Sequence, residues 1–326
     1  SGKPVMLKPA ALLLALLATP AQADVAEVVA EHALPGLAKF TATTAALAAE
    51  QSCDPARLRP LYHQAFDAWI GISHLRLGPV EEQGRVLAIA FWPDPKGLGA
   101  KAQRALIAAA DPAKLAPEHM AEQSVAIRGF FGLERLLYPA DPLTGDYPCA
   151  LTHATAADLA RMAAEVEAGW KDGFAATLTQ PGPGARYLTE AESRQALLTA
   201  FITGLEFNAD QRLGRPLGSF DKPRPERAEA RASDRSLRNL QLSLLGLRQF
   251  ALKLVPDAPA TQAAFDRAIQ HADTLKDPVF AGVTDPGARL KLDILAQDIR
   301  AIRDAAMAEM APALGASVGF NAADGD

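Results

Sequence analysis

The stretch Arg128-Gly129-Phe130-Phe131-Gly132-Leu133-Glu134-Arg135-Leu136-Leu137-Tyr138 sets the class of this chain. At helical spacing Phe130, Phe131, Leu137 and Tyr138 stand three and four residues from Glu134, with Ile127 one turn further back. The apolar period is therefore that of a helix, and Glu134 lies in the middle of its greasy stripe. A carboxylate placed there must be paired, hydrogen-bonded, protonated or bound to a ligand, because burying it bare costs several kcal/mol. Two readings follow: a structural ion pair, or a functional site.

The same period continues outward from this stretch. The chain is rich in Ala and Leu and has few alternating Val, Ile and Thr runs, so the expected class is all-α. Hydrophobic residues make up 49% and charged residues 22%, ordinary for a globular protein. Helices are expected at about 24–50, 56–77, 100–110, 117–138, 153–176, 189–213, 234–255, 259–276 and 286–312. The last carries Leu292, Leu295, Ile299, Ile302, Ala306 and Met310 in one stripe. Residues 78–99 read as a long loop containing Glu81-Glu82 and Phe91-Trp92-Pro93-Asp94-Pro95; such a loop inside a compact domain is uncommon unless it is functional. Thr177-Leu178-Thr179-Gln180-Pro181-Gly182-Pro183-Gly184 reads as a linker. It divides the chain into an N-terminal helical bundle, 24–180, and a C-terminal one, 185–326. Arg76-Leu77-Gly78-Pro79 is echoed by Arg212-Leu213-Gly214-Arg215-Pro216, which suggests a distant internal duplication.

Helix 56–77 supplies a possible partner for Glu134. Leu58, Leu61, Tyr62, Ala65, Phe66, Trp69, Ile72 and Ser73 share one side of it, and Arg76 projects from that side. Glu134 and Arg76 either neutralise each other or floor a pocket, where the rigid guanidinium fork suits carboxylates and phosphates. Asn208 and Arg212 fall on the apolar face of helix 189–213, while Glu206 and Asp210 fall on its polar side. Trp92 and Asp94 from the long loop are rim candidates; Trp92 could equally pack the core, and Asp94 could be a turn residue. His63, Asp67 and His74 share the opposite face of helix 56–77 and read as solvated surface.

The amino-terminal region bears on compartment. Met6-Leu7-Lys8-Pro9 precedes the apolar run Ala10–Ala18, and Thr19-Pro20-Ala21-Gln22-Ala23 follows. A basic start, a short apolar core and an Ala-x-Ala ending predict a secretory signal peptide cleaved after Ala23, hence a periplasmic protein. No cysteine follows directly to carry a lipid, and no later stretch reads as a transmembrane helix. Residues 1–23 hold two lysines and no acid, so their removal takes the formal net charge from −5 to −7. That excess, without a basic stripe, argues against nucleic acid as a partner. Cys53 and Cys149 are expected to form a disulfide in an oxidising compartment. Their spacing fits no zinc pattern.

Five segments in order resemble the imelysin family, also known as M75 peptidases and iron-regulated proteins. They are Ala68-Trp69 through Ser73-His74-Leu75-Arg76-Leu77-Gly78-Pro79-Val80-Glu81; Ala90-Phe91-Trp92-Pro93-Asp94; Gly129-Phe130-Phe131-Gly132-Leu133-Glu134; Arg212-Leu213-Gly214-Arg215-Pro216-Leu217-Gly218; and Gly319-Phe320-Asn321-Ala322-Ala323-Asp324-Gly325-Asp326. The resemblance implies two related helical bundles with a site between them, and an exported protein linked to iron acquisition. It also carries a peptidase label. The family signature is Gly-x-His-x-x-Glu, whose His and Glu share a helix face and can grip a metal. Here the glycine is Gly129 and the glutamate Glu134, but Phe131 replaces the histidine and can neither ligate a metal nor shuttle a proton.

The expected function is a non-enzymatic ligand-binding or accessory protein in iron uptake. Glu134, Arg76, Trp92, Asp94, Asn208 and Arg212 would bind the ligand, with iron a possible cargo by resemblance only. A metal-dependent peptidase of the M75 type is the alternative, drawing on Glu81, Glu82, Asp94 or the histidines. The third reading is a helical interaction protein whose buried charges only fix packing.

Overall fold

The computed structural model describes residues 24–316. The signal-peptide reading of residues 1–23 and the Gly319–Asp326 motif lie outside the described residues. Among these, the regular elements are helical, apart from one isolated bridge between Ser219 and Lys222.

Helix α1 spans 25–49 and passes through a π turn at Val29–Ala33. Asp24 starts it by accepting the Glu27 N–H at 2.9 Å. Helix α2, Pro55–Ile72, begins the same way: Asp54 accepts the Ala56 N–H at 2.9 Å and a proline holds the first position. Then come α3 (Leu98–Ala109), α4 (Gly129–Leu137) and α5, which covers 147–179 with a π turn at Trp170–Phe174. Helix α6 covers 190–217 and contains a longer π segment, Phe207–Leu213. The order ends with α7 (Ser236–Leu254), α8 (Pro259–Thr274) and α9 (Pro286–Leu314).

Helix α1 packs on α2 and α5, and α4 sits across both of those. In the second half α9 packs on α6 and α8, and α8 on α7. The halves meet chiefly where α7 lies along α2. One apolar core runs through both, from Phe40, Trp69 and Phe130 to Phe250 and Phe265. Phe66 and Phe130 stack at 4.3 Å where α2 meets α4. Each fully buried phenylalanine contributes about 2–3 kcal/mol by area. Among the described residues no helix is long and apolar enough to cross a membrane.

Three expectations need correction. The helix expected at 56–77 stops at Ile72, because the Ser73 hydroxyl bonds back to the Ile70 carbonyl and the chain turns into an extended Leu77. Arg76 is therefore on a connecting segment and not on the helix stripe. The helix expected at 117–138 is broken: Pro117–Ala121 is one short turn, Val125–Ile127 another, and α4 begins afresh at Gly129. Gly129 has φ +59°, and a Cβ there would lie 2.1 Å from the Ile89 carbonyl oxygen, so only glycine can open this helix. Finally, the helix expected at 153–176 begins earlier, at Tyr147, so that Cys149 is the third residue of α5. It is bonded to Cys53, just before α2, with the Cα atoms 5.6 Å apart.

Candidate functional site

Helix α4 carries Glu134 into the interior, where the residue is only 7% exposed. The partner is not an arginine. Glu134 Oε1 accepts the Ser233 backbone N–H at 3.0 Å and the Ser233 hydroxyl at 2.6 Å. Burial pushes this carboxyl above its ordinary pKa; the two Ser233 bonds oppose the shift and the nearby Glu229 adds to it. Ser233 belongs to the polar, proline-containing connection between α6 and α7, a composition ordinary for a solvated loop. Its later part instead lies inside: Glu229, Ser233 and Arg235 are all buried.

Glu134 lines one side of a cleft of about 410 Å³, with Trp92 and Asp94 on the long loop. The other wall includes Arg215, Arg227 and Arg231. Asp94 is occupied within its own loop: its two oxygens accept the N–H groups of Leu98 and Gly99 at 2.9 and 2.8 Å, opening α3. Arg215 lies over the Trp92 ring at 5.9 Å.

Arg76 lines a different cavity, about 260 Å³, between the 73–81 segment and α6. Its guanidinium lies 4.7 Å from the centre of the Phe207 ring, and that of Arg212 lies 4.9 Å from the same ring. Arg212 is neutralised by Glu229 at 2.7 Å and donates to the Asn208 Oδ1 at 2.7 Å. Asn208 in turn donates to Ser243 at 3.0 Å. Among the described residues Arg76 has neither an ion pair nor a side-chain hydrogen bond within this network. Arg186, held loosely by Glu81 at 3.4 Å, stands at the rim. Phe207 meets Trp92 edge-to-face at 5.9 Å, which places this aromatic pair between the two cavities. The structure thus groups Arg76, Arg212 and Asn208 on one side and Glu134, Trp92 and Asp94 on the other.

Behind the cavities runs a polar chain with little warning in the sequence. Glu229 accepts from Asn239 at 3.0 Å, and Asn239 accepts from Arg235 at 3.1 Å. Arg235, 1% exposed, pairs with Asp67 at 2.6 Å and donates to His63 Nδ1 at 2.9 Å. Because arginine can only donate, neutral His63 carries its proton on Nε2 and gives it to the Tyr138 hydroxyl at 2.7 Å. Burial and the Arg235 charge hold the His63 pKa below its usual value. Burial alone would raise the Asp67 carboxyl, but Arg238 and Arg235 outweigh it and lower it.

The reading of His63, Asp67 and His74 as solvated surface is therefore wrong. Helix α7 covers that face of α2, and His74 is buried. His74 lines the Arg76 cavity and meets His32, on the π turn of α1, with the Nε2 atoms 2.9 Å apart. Both rings are kept neutral by burial: the His32 pKa falls to about 4 and that of His74 lies well below the usual value. The residues missed in the sequence are Ser233, Glu229, Arg235 and Phe207. The first three lie in or beside a loop, where periodicity says nothing, and no motif marks Phe207.

A catalytic metal fits Glu134 poorly. Phe131 occupies the position of the second ligand, and Ser233 takes up Glu134 Oε1. Among the described residues, no group of three or more His, Cys, Asp or Glu side chains with metal-binding proximity includes Glu134.

The imelysin family model, Peptidase M75, matches residues 15–306. An imelysin-like protein from Psychrobacter arcticum 273-4 superposes with a TM-score of 0.74 at 18% identity, covering 91% of this chain and 96% of that one. A candidate iron-regulated protein A precursor from Parabacteroides distasonis ATCC 8503 superposes with a TM-score of 0.69 at 13% identity, covering 86% of this chain and 92% of that one. At these identities the two structures speak for the fold alone. Among curated proteins nothing matches the chain. With nearly its whole length matched by the family model, and with an all-α architecture shared with an imelysin-like structure, the chain belongs to the imelysin family.

Proposed function

We propose that this chain is an exported, periplasmic ligand-binding protein that serves iron uptake without catalysing a reaction. Its site lies between the two helical bundles, 24–180 and 185–326. The iron link rests on the family and on the iron-regulated description of one structural neighbour. The observation that carries the binding role is Arg76. Its guanidinium stacks on Phe207 at 4.7 Å, lines a cavity of about 260 Å³ and has no carboxylate partner among the described residues, whereas the adjacent Arg212 is neutralised by Glu229. An unpaired fork at a cavity selects an anion carrying carboxylates, and Arg186 at the rim, held only at 3.4 Å by Glu81, is free to turn toward it. Iron would enter as the cargo of an anionic chelate.

Isothermal titration of the mature chain with ferric citrate, and with citrate alone, tests this. Ferric citrate should bind, and Arg76→Gln should weaken it at least tenfold, about 1.4 kcal/mol, while leaving the melting temperature in place. Equal binding by Arg76→Gln, or no binding by the wild type, would leave the buried charges as packing devices and favour the interaction-protein reading. That reading draws its own support from Glu134, whose hydrogen bonds to Ser233 tie the two halves together.

A further inference from the structure

Away from both cavities, the Cys53–Cys149 bridge has a third ligand-type atom beside it. His153 Nε2 lies 3.4 Å from Cys53 Sγ. His153 follows Cys149 by one turn of α5, so the helix presents both side chains on the same face. The two sulfurs and the imidazole nitrogen all lie within 4.8 Å of one another. Cys53 is exposed and the other two are partly exposed, so ions in solution reach them. A cavity of about 360 Å³, lined by Cys53, Cys149, Arg59 and Thr152, opens alongside.

We infer that reducing this bridge creates a Cys2His binding site for a thiophilic divalent cation of the zinc type. One edge already has the length such an ion needs, and the sulfurs must part to supply the other. Zinc–sulfur and zinc–nitrogen bonds of about 2.3 and 2.0 Å at tetrahedral angles put the S···N edge at about 3.5 Å and the S···S edge at about 3.8 Å. The observed sulfur-to-nitrogen distance is 3.4 Å. A Cα separation of 5.6 Å lets the freed sulfurs part by rotation about χ1. The reduction balances simply. A dithiol in solution delivers two electrons and two protons, becomes its own disulfide, and leaves two thiols on the protein. The cation then displaces both thiol protons to solvent and takes the neutral His153 Nε2 as its third ligand. The exposure of Cys53 leaves the fourth position to water. Thiolate and imidazole donors select against calcium and magnesium, which prefer oxygen ligands. The site therefore switches with redox state: a covalent bridge when oxidised, a metal centre when reduced.

The test uses the full mature chain without a histidine tag, titrated anaerobically with Co²⁺ as the spectroscopic probe for zinc. The chain is compared as purified and after dithiol reduction and desalting. Reduced wild type should bind one equivalent and show a thiolate-to-cobalt charge-transfer band in the near ultraviolet, which the oxidised chain lacks. His153→Ala should keep both thiols but weaken binding at least tenfold, and the Cys53→Ser/Cys149→Ser double variant should lose the band. The inference is overturned if reduced wild type binds no more tightly than the double variant, or if His153→Ala binds like wild type. Far-ultraviolet circular dichroism covers the case in which reduction unfolds the chain. Cobalt must then restore the helical signal in wild type and not in His153→Ala; failure to do so also overturns the inference.

Discussion

Glu134 is held by two hydrogen bonds from one serine and, among the described residues, by no ion pair. Its folded-state pKa lies above the unfolded value, so the folded chain binds the extra proton between the two. Stability from this residue is thus fullest below the ordinary carboxyl range and falls as pH rises through the raised pKa. Glu134→Gln keeps the shape and an acceptor but removes the charge. The melting temperature of the variant relative to wild type should become steadily more favourable from pH 4 to pH 8; a constant difference would mean the carboxyl titrates normally. Ser233→Ala removes the 2.6 Å hydroxyl donor and leaves the backbone N–H. It should cost about 1–3 kcal/mol at pH 7, read as a shift in the urea midpoint, and less in acid, where the carboxyl is protonated.

At the scale of elements, the α2–α7 contact does most to join the two halves. It is close enough that a Cβ on Gly246 of α7 would lie 2.3 Å from the backbone oxygen of Gly71 on α2. Gly246→Ala should therefore destabilise by about 1–3 kcal/mol, although alanine is the better helix former by nearly 1 kcal/mol. An unchanged or raised melting temperature would show that the helices move apart freely. Arg235 binds the same pair of helices by another means. From the start of α7 it reaches Asp67 and His63 on α2, while its ring contact with Phe66 lies 4.7 Å away. Arg235→Met leaves the Asn239 and His63 acceptors without their donor, while Asp67 keeps Arg238, and should cost about 1–3 kcal/mol.

At the scale of the whole molecule, one apolar core continues through both groups of helices, and the bridge between Cys53 and Cys149 closes a loop of 96 residues in the first. In the chain-entropy account such a loop contributes about 4–5 kcal/mol. Dithiol reduction in the presence of a chelator should lower the guanidinium midpoint accordingly; no change would place the constraint elsewhere. The two cavities lie where the halves meet, and Trp92 and Phe207 come between them. This is why Glu134, buried on α4, and Arg76, exposed on the 73–81 segment beside its own cavity, do not form one site.

Local pattern determined the helical class, where most of the long helices lie and the burial of Glu134, Asn208 and Arg212. Each of these depends on a repeat of 3.6 residues or on caps and breakers within a few positions, so the physics is local. The family motif was legible for the same reason: Gly129 and Glu134 are close together in the chain. Tertiary structure alone decided what the buried charges touch. Ser233 is 99 residues from Glu134, and Arg235 is 168 from Asp67. No periodic pattern registers a loop that folds inward, a helix that stops at Ser73 or a second helix laid over the His63 face. Partners so far apart in the chain are chosen by packing and by the cost of leaving a buried charge unsatisfied, and both become defined only once the helices have met.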